Sequence, residues 1–237
     1  MSILDLLFPP RCPVCGKPFR PQAGDAPGAV CCSACEAGLA RELDSARVSD
    51  PSGRRGLASR SMPHVDLLYA AYSYGPPMLG RVLFALKRKG GRFIAAWAAG
   101  RIAGAMGGAR EYDAVTFMPR RRASVREYGF DQAELLAREL ALLLRIPALT
   151  LLERSRGAGE QKELDAAGRA ANAAHSMRPS KLLPRGGYRS VLLVDDVVTT
   201  GASMESAAAV LRAHGVVTVT ACALCLTQKM TGRLNDG

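Results

Sequence analysis

Short apolar runs alternate with helical patterns over most of this chain. VDLLYAAYSY (65–74) reads as a strand, with helices expected at PMLGRVLFALKRK (77–89) and RFIAAWAAGRIAGAM (92–106). YDAVTFMP (112–119) is a short apolar strand ended by proline. In FDQAELLARELALLLR (130–145), Leu135, Leu136, Leu140, Leu143 and Leu144 fall on or near one face, as in an amphipathic helix. SVLLVDD (190–196) is a continuous apolar strand, the kind found at the centre of a parallel sheet, whose apolar part would end at Asp195-Asp196. A helix over 203–213 and a last strand, VVTVTACALCL (216–226), complete the series. Strand and helix in alternation predict an α/β fold with a parallel sheet, and no internal repeat is present.

The flanks of this region differ in character. Residues 1–43 hold five of the seven cysteines and read as a separate small module. Residues 44–64 are rich in Ser, Gly, Pro and Arg and read as a linker; 65–228 form the α/β domain, and 229–237 a polar tail. The composition, 48% apolar and 22% charged over 237 residues, is that of a globular chain and excludes a disordered one. Aromatics are scarce at 5%, so the core must be built from Leu, Val, Ile and Ala.

The longest apolar stretch, 93–106, is interrupted by Arg101, which favours a buried helix over a membrane span. Asp5 stands where a secretory signal would carry basic charge. A soluble, cytoplasmic protein without membrane insertion is therefore expected. In that compartment cysteines serve as metal ligands or core thiols more often than as disulfides.

Cys12-x-x-Cys15 and Cys32-x-x-Cys35, with sixteen residues between the two pairs, have the spacing of a closed four-thiolate zinc site. Gly16 suits the tight turn after the first pair, and Cys31 is the alternative to Cys32. A site with four protein ligands leaves no open position, so a structural Zn2+ is expected. Cys222-x-x-Cys225 lies within an apolar strand and reads as ordinary core.

The string VLLVDDVVTTGAS (191–203) carries the most specific chemistry. Ligands of open parallel sheets bind beyond the carboxyl ends of strands, where Asp195 and Asp196 would meet a ribose diol and Mg2+. Thr199, Thr200, Gly201, Ala202 and Ser203 then offer hydroxyls, close backbone approach and a helix N-terminus, which together suit a phosphate. Acids at one end and hydroxyls at the other fit a ribose 5-phosphate.

This string closely resembles the binding signature for phosphoribosyl pyrophosphate (PRPP) of type I phosphoribosyltransferases. The start LLFPPRCPVC, the cysteine pairs, LKRKGGR (86–92), FMPRRRASVREYGFDQAELLA (117–137) and GEQKELDAAGRAANAAHSM (159–177) further resemble the ComF family. That resemblance implies a type I phosphoribosyltransferase domain behind a zinc module, and an association with DNA uptake in natural transformation. It implies ribose and Mg2+ contacts for Asp195 and Asp196 and a 5-phosphate site at 199–203. It also implies a mobile loop over 156–172 bearing Gln161, Leu164, Arg169 and Asn172, and pyrophosphate-side roles for Lys87, Arg120 and Arg126.

The chain departs from the family where Arg-Gly-Phe-Asn-Gln is usual: it reads Tyr128-Gly129-Phe130-Asp131-Gln132. The pyrophosphate side is weakened there, with Arg120, Arg121, Arg122 and Arg126 as nearby replacements for the lost charge.

A net charge of +11 favours anionic partners. Two functional classes follow: a PRPP-dependent transferase of unspecified acceptor, and an accessory protein using the same fold to bind single-stranded DNA or a competence helicase. The basic runs 87–89 and 120–122 read equally as a solvated face, and aromatic residues are thinly interleaved with them, which gives little support to base stacking. His64, His175 and His214 have no spacing suited to catalysis or metal.

Overall fold

The computed structural model describes residues 11–19, 29–48, 62–89, 91–107, 111–155 and 176–230. Its elements in chain order are α1 (Ser33–Ser45), β1 (Leu67–Ser73), α2 (Pro77–Lys89), α3 (Arg92–Met106), β2 (Ala114–Phe117), α4 (Arg122–Tyr128) and α5 (Gln132–Leu144). Then follow β3 (Leu152–Arg154), β4 (Met177–Pro179), β5 (Ser190–Val198), α6 (Ala202–Ala213) and β6 (Thr218–Leu226).

β1, β6, β5 and β2 lie side by side in that order, and every neighbouring pair is parallel. β3 and β4 form a separate antiparallel pair. The parallel sheet is buried on both faces, which is why its strands read as apolar runs rather than as alternating ones. Leu192 and Val194 of β5 and Leu224 of β6 pack with α3 and α5 on one face. Val191 and Leu193 of β5 and Ala221 and Ala223 of β6 pack with Met204, Ala207 and Leu211 of α6 on the other. On α5, Leu136 and Leu140 are fully buried and Leu135 and Leu144 pack at the margin, whereas Leu143 faces outward.

The expected strands and long helices are all present. Two differences affect the site. β5 does not end at the acids but continues as backbone-paired strand through Val198, because Asp195 and Val197–Val198 still have partners on β6. Second, RASVREY, which has no apolar period, forms the short α4, closed by Gly129 at φ 78. At the α5 start, Asp131 accepts from the N–H groups of Ala133 and Glu134, a side-chain cap that ties helix entry to the loop after β2.

The cysteine-rich segment lies against the α/β domain. The Glu42 carboxylate on α1 accepts from the N–H groups of Met78 and Leu79, at 2.9 and 3.2 Å, and so caps α2 from another element. Arg81 donates to the Val14 carbonyl at 2.9 Å, and the rings of Phe19 and Phe93 meet at 6.1 Å. Residues 46–48, inside the stretch read as linker, run antiparallel beside β1: Val48 N–H donates to the Ala71 carbonyl and Ser73 N–H to that of Ala46. The opposite edge is covered similarly, with Val115 donating to Pro147 and Leu149 donating to Val115. Among the described residues, no helix is long and apolar enough to cross a membrane.

Candidate functional site

The sulfur atoms of Cys12, Cys15, Cys32 and Cys35 all lie within 4.8 Å of one another. In a tetrahedral site with Zn–S near 2.3 Å, sulfurs stand about 3.8 Å apart, so this donor set fits zinc. Cys15 and Cys32 sulfurs are 3.6 Å apart. Gly16 at φ 76 donates to the Cys12 carbonyl, closing the turn that aims the first pair inward. Burial raises the Cys12 thiol, but N–H groups of Cys32, Cys15 and Val14 outweigh it and bring the value down to about 7. Of the two adjacent candidates it is Cys32 that joins the cluster; Cys31 is buried beside it, its thiol pushed up to about 12 chiefly by burial. Cys222 and Cys225 are fully buried in β6, and burial holds both thiols well above the usual range.

The second site is built at the carboxyl end of β5. Asp196 is buried, and its Oδ1 accepts from Val197 N–H at 2.9 Å while Oδ2 lies 3.1 Å from Lys87 Nζ. Asp195 Oδ1 accepts from Asp196 N–H at 2.8 Å. Burial, then the neighbouring Asp196 charge, drives the Asp195 carboxyl well above its ordinary range, against the pull of Lys87. A pair of hard oxygen donors that already attracts an ammonium suits a divalent cation.

After β5 the chain turns through Thr199 and Thr200, both exposed, to Gly201 at φ 77, the residue preceding α6. Gly201 itself offers α6 no side-chain cap, and the leading N–H groups of the helix lie at this turn. Ser203 is exposed in the first turn, and Ala202 N–H donates to Thr200 Oγ1 at 3.5 Å. His64 is held by Glu205 through its ring and its backbone N–H, which packs residues 62–64 against the start of α6.

Across from the acids lies a set of cations. Arg120 Nη1 donates to the Lys87 carbonyl at 3.1 Å, joining α2 to the loop after β2. Asp131 explains its own departure from the family pattern. One oxygen caps α5 and the other accepts Arg120 N–H at 2.6 Å, so both must be acceptors, which an asparagine amide cannot provide. Its burial raises the carboxyl even so. Asp131 thus fixes the Arg120 main chain.

Tyr128 lies between two guanidiniums, Arg88 at 5.0 Å and Arg120 at 4.6 Å from its ring centroid. Arg88 also stands 5.4 Å over Phe84, which is 58% exposed. The fold therefore interleaves aromatic rings with basic residues, which the linear sequence does not. Arg126 is exposed in the last turn of α4, away from these contacts among the described residues.

Arg154 is a site residue that the sequence does not announce. Its Nε donates to the Pro119 carbonyl at 3.0 Å, and burial, then Arg121, lowers its guanidinium while Asp195 and Asp131 pull the other way. It follows a single apolar pair with no motif, and only the β3 position brings it to the site. Gln161, Leu164, Arg169 and Asn172 lie outside the described residues.

With this geometry in place, the chain can be set beside known proteins. Residues 129–236 match the phosphoribosyl transferase domain family, a stretch that includes β5 and β6 of the parallel sheet and follows the four-cysteine cluster in the chain. More particularly, it is similar to competence protein F of Haemophilus influenzae, 35% identical over 89 residues, and the resemblance to the ComF family holds. That match spans 37% of this chain and 39% of the relative's length.

Among solved structures, adenine phosphoribosyl transferase from Trypanosoma brucei is 14% identical, with 75% of this chain and 66% of that one covered and a TM-score of 0.40. The PRPP amidotransferase of B. subtilis is 22% identical, with 54% and 26% covered and a TM-score of 0.39. This chain spans about a quarter of the latter.

Proposed function

We propose that this protein binds PRPP, or a ribose 5-phosphate, together with Mg2+, and that it serves DNA uptake in the manner of its ComF-like relatives. The observation that carries the reading is the succession at one strand end: two carboxylates, a hydroxyl-bearing turn, and a glycine at φ 77 opening directly onto a helix N-terminus. The ribose diol belongs on Asp195 and Asp196, and the 5-phosphate on the turn 199–203. Mg2+, held on the same acids directly or through water, would supply charge neutralisation to the pyrophosphate. Lys87 and Arg120 stand on the side where that group would leave, and electrostatic stabilisation is their part in displacing it from C1 by an acceptor nucleophile. Zn2+ at the cysteine cluster is structural.

Thermal melting tests this reading, because a ligand that binds only the native state raises Tm. PRPP with Mg2+ should raise it, and Asp195→Ala with Asp196→Ala should cancel the rise. No shift in the native chain sinks the PRPP site.

A second reading has its own observation. The order Phe84–Arg88–Tyr128–Arg120 alternates ring and cation at the surface, an arrangement that suits bases of single-stranded DNA. It favours an accessory role on nucleic acid, alone or beside a helicase. Titration of single-stranded DNA at two salt concentrations tests it: binding should weaken steeply with salt, and absence of binding at low salt removes it.

A further inference from the structure

We propose that Lys87 competes with divalent metal for Asp196, so that the acid pair accepts a divalent cation only together with a phosphate-bearing ligand. The inference rests on the reading of Asp195 and Asp196 as the cation side of the ribose-phosphate site. It assigns Lys87 a positioning role different from a simple pyrophosphate contact.

The argument is geometric. Of the two Asp196 oxygens, Oδ1 is engaged by the Val197 N–H, and Oδ2 faces the Lys87 ammonium at 3.1 Å. The Asp196 side chain is 5% exposed, so one cation at contact distance fills the approach to Oδ2. A divalent ion at the same oxygen would stand against that ammonium in a poorly hydrated place, where like charges repel far more strongly than in water. One cation must leave before the other enters.

Lys87 is built to leave. Its main chain is anchored, because Arg120 Nη1 holds its carbonyl, yet its side chain is 41% exposed on the last turns of α2. A long side chain with a fixed root and a solvated flank can pivot without disturbing the fold. Free metal offers the displaced ammonium nothing in return. A metal-bound pyrophosphate offers it an anion on the same side of the site, so the exchange of partners becomes favourable. Metal affinity is then coupled to phosphate ligand through one side chain, and by linkage the coupling is reciprocal.

Binding of Mn2+, a paramagnetic substitute for Mg2+, to the full-length zinc-loaded chain measures this directly by electron paramagnetic resonance. Lys87→Met keeps most of the length and removes the charge, and should tighten Mn2+ by roughly tenfold or more, whereas Lys87→Arg should stay within about twofold of the native chain. Asp196→Asn should abolish the gain in a Lys87→Met background. PRPP should tighten Mn2+ strongly in the native chain and much less in Lys87→Met.

Equal Mn2+ affinity in the native chain and Lys87→Met overturns the competition, as does a gain that survives Asp196→Asn. If Lys87→Met melts well below the native chain, Lys87→Gln carries the same comparison. The metal-only arm is independent of PRPP. A native chain whose Mn2+ affinity ignores PRPP would defeat the proposed function, while the metal-only comparison still decides the role of Lys87.

Discussion

Met62 occupies the space that a side chain on Gly201 would need: its Sδ lies 2.7 Å from the position of a β-carbon there, and the Met230 methyl lies at 3.5 Å. Two constraints thus meet at one glycine, a left-handed backbone at φ 77 and a wall behind it. Gly201→Ala should cost about 1–3 kcal/mol, the usual range for a side chain forced into that conformation. It should also distort the turn 199–203 proposed for the 5-phosphate. Melting with and without PRPP checks both, and a variant as stable as the native chain with an undiminished PRPP shift would contradict this account.

The cysteine cluster predicts close to one zinc per chain, bound without exchangeable solvent. Cys15→Ser should lose most of the metal, whereas Cys31→Ser should keep it, because Cys31 stands outside the cluster. Zinc release measured with a chromophoric chelator after unfolding distinguishes the two.

For the nucleic-acid reading, Phe84→Ala and Tyr128→Ala should each weaken single-stranded DNA, since a base stacked on an aromatic ring contributes about 1–3 kcal/mol. Arg126→Ala should do much less, as it lies outside the alternating stack. Fluorescence anisotropy at low salt reads the difference. Equal losses for all three variants would point to bulk charge alone.

Asp113 supplies a pH test. Its carboxylate accepts from Ser190 N–H at 2.9 Å and Arg189 N–H at 2.6 Å, and these bonds hold it below the usual carboxylate range. A group lowered in the folded state contributes stability that is complete above its unfolded value, near ~3.9, and is lost as pH falls through the folded value. Asp113→Asn should therefore melt below the native chain at neutral pH, and the gap should narrow as pH drops under about 4. A gap independent of pH would mean that the charge is not what Asp113 contributes.

Much of this molecule is legible in its sequence, for identifiable reasons. A parallel sheet buried on both faces leaves uninterrupted apolar runs, which is why β1, β5 and β6 stand out. The acids and the turn 199–203 are contiguous, so one string carries most of the proposed ribose-phosphate site. What needed three dimensions was whatever joins distant segments. Phe84 and Tyr128 are separated by 44 residues, and only the packing of α2 beside α4 sets Arg88 between them. Arg154 enters through β3, and Lys87 reaches Asp196 from α2. The choice between Cys31 and Cys32 was open because adjacent residues differ only in direction. The departure at Asp131 looked like lost ligand chemistry, whereas its two oxygens serve α5 and Arg120.

The strip 46–48 covers the end of β1 at Ala71–Ser73, and the strip 147–149 covers β2 at Val115, so each outer strand of the parallel sheet has part of its free edge occupied. An unguarded edge is a template on which other chains assemble. One guard hangs directly from α1, and α1 begins at the cysteine cluster. Metal loss would then do more than loosen a peripheral knuckle: it would free the selvedge of the sheet, and clumping of the chains, rather than simple unfolding, is the damage to expect from a chelator.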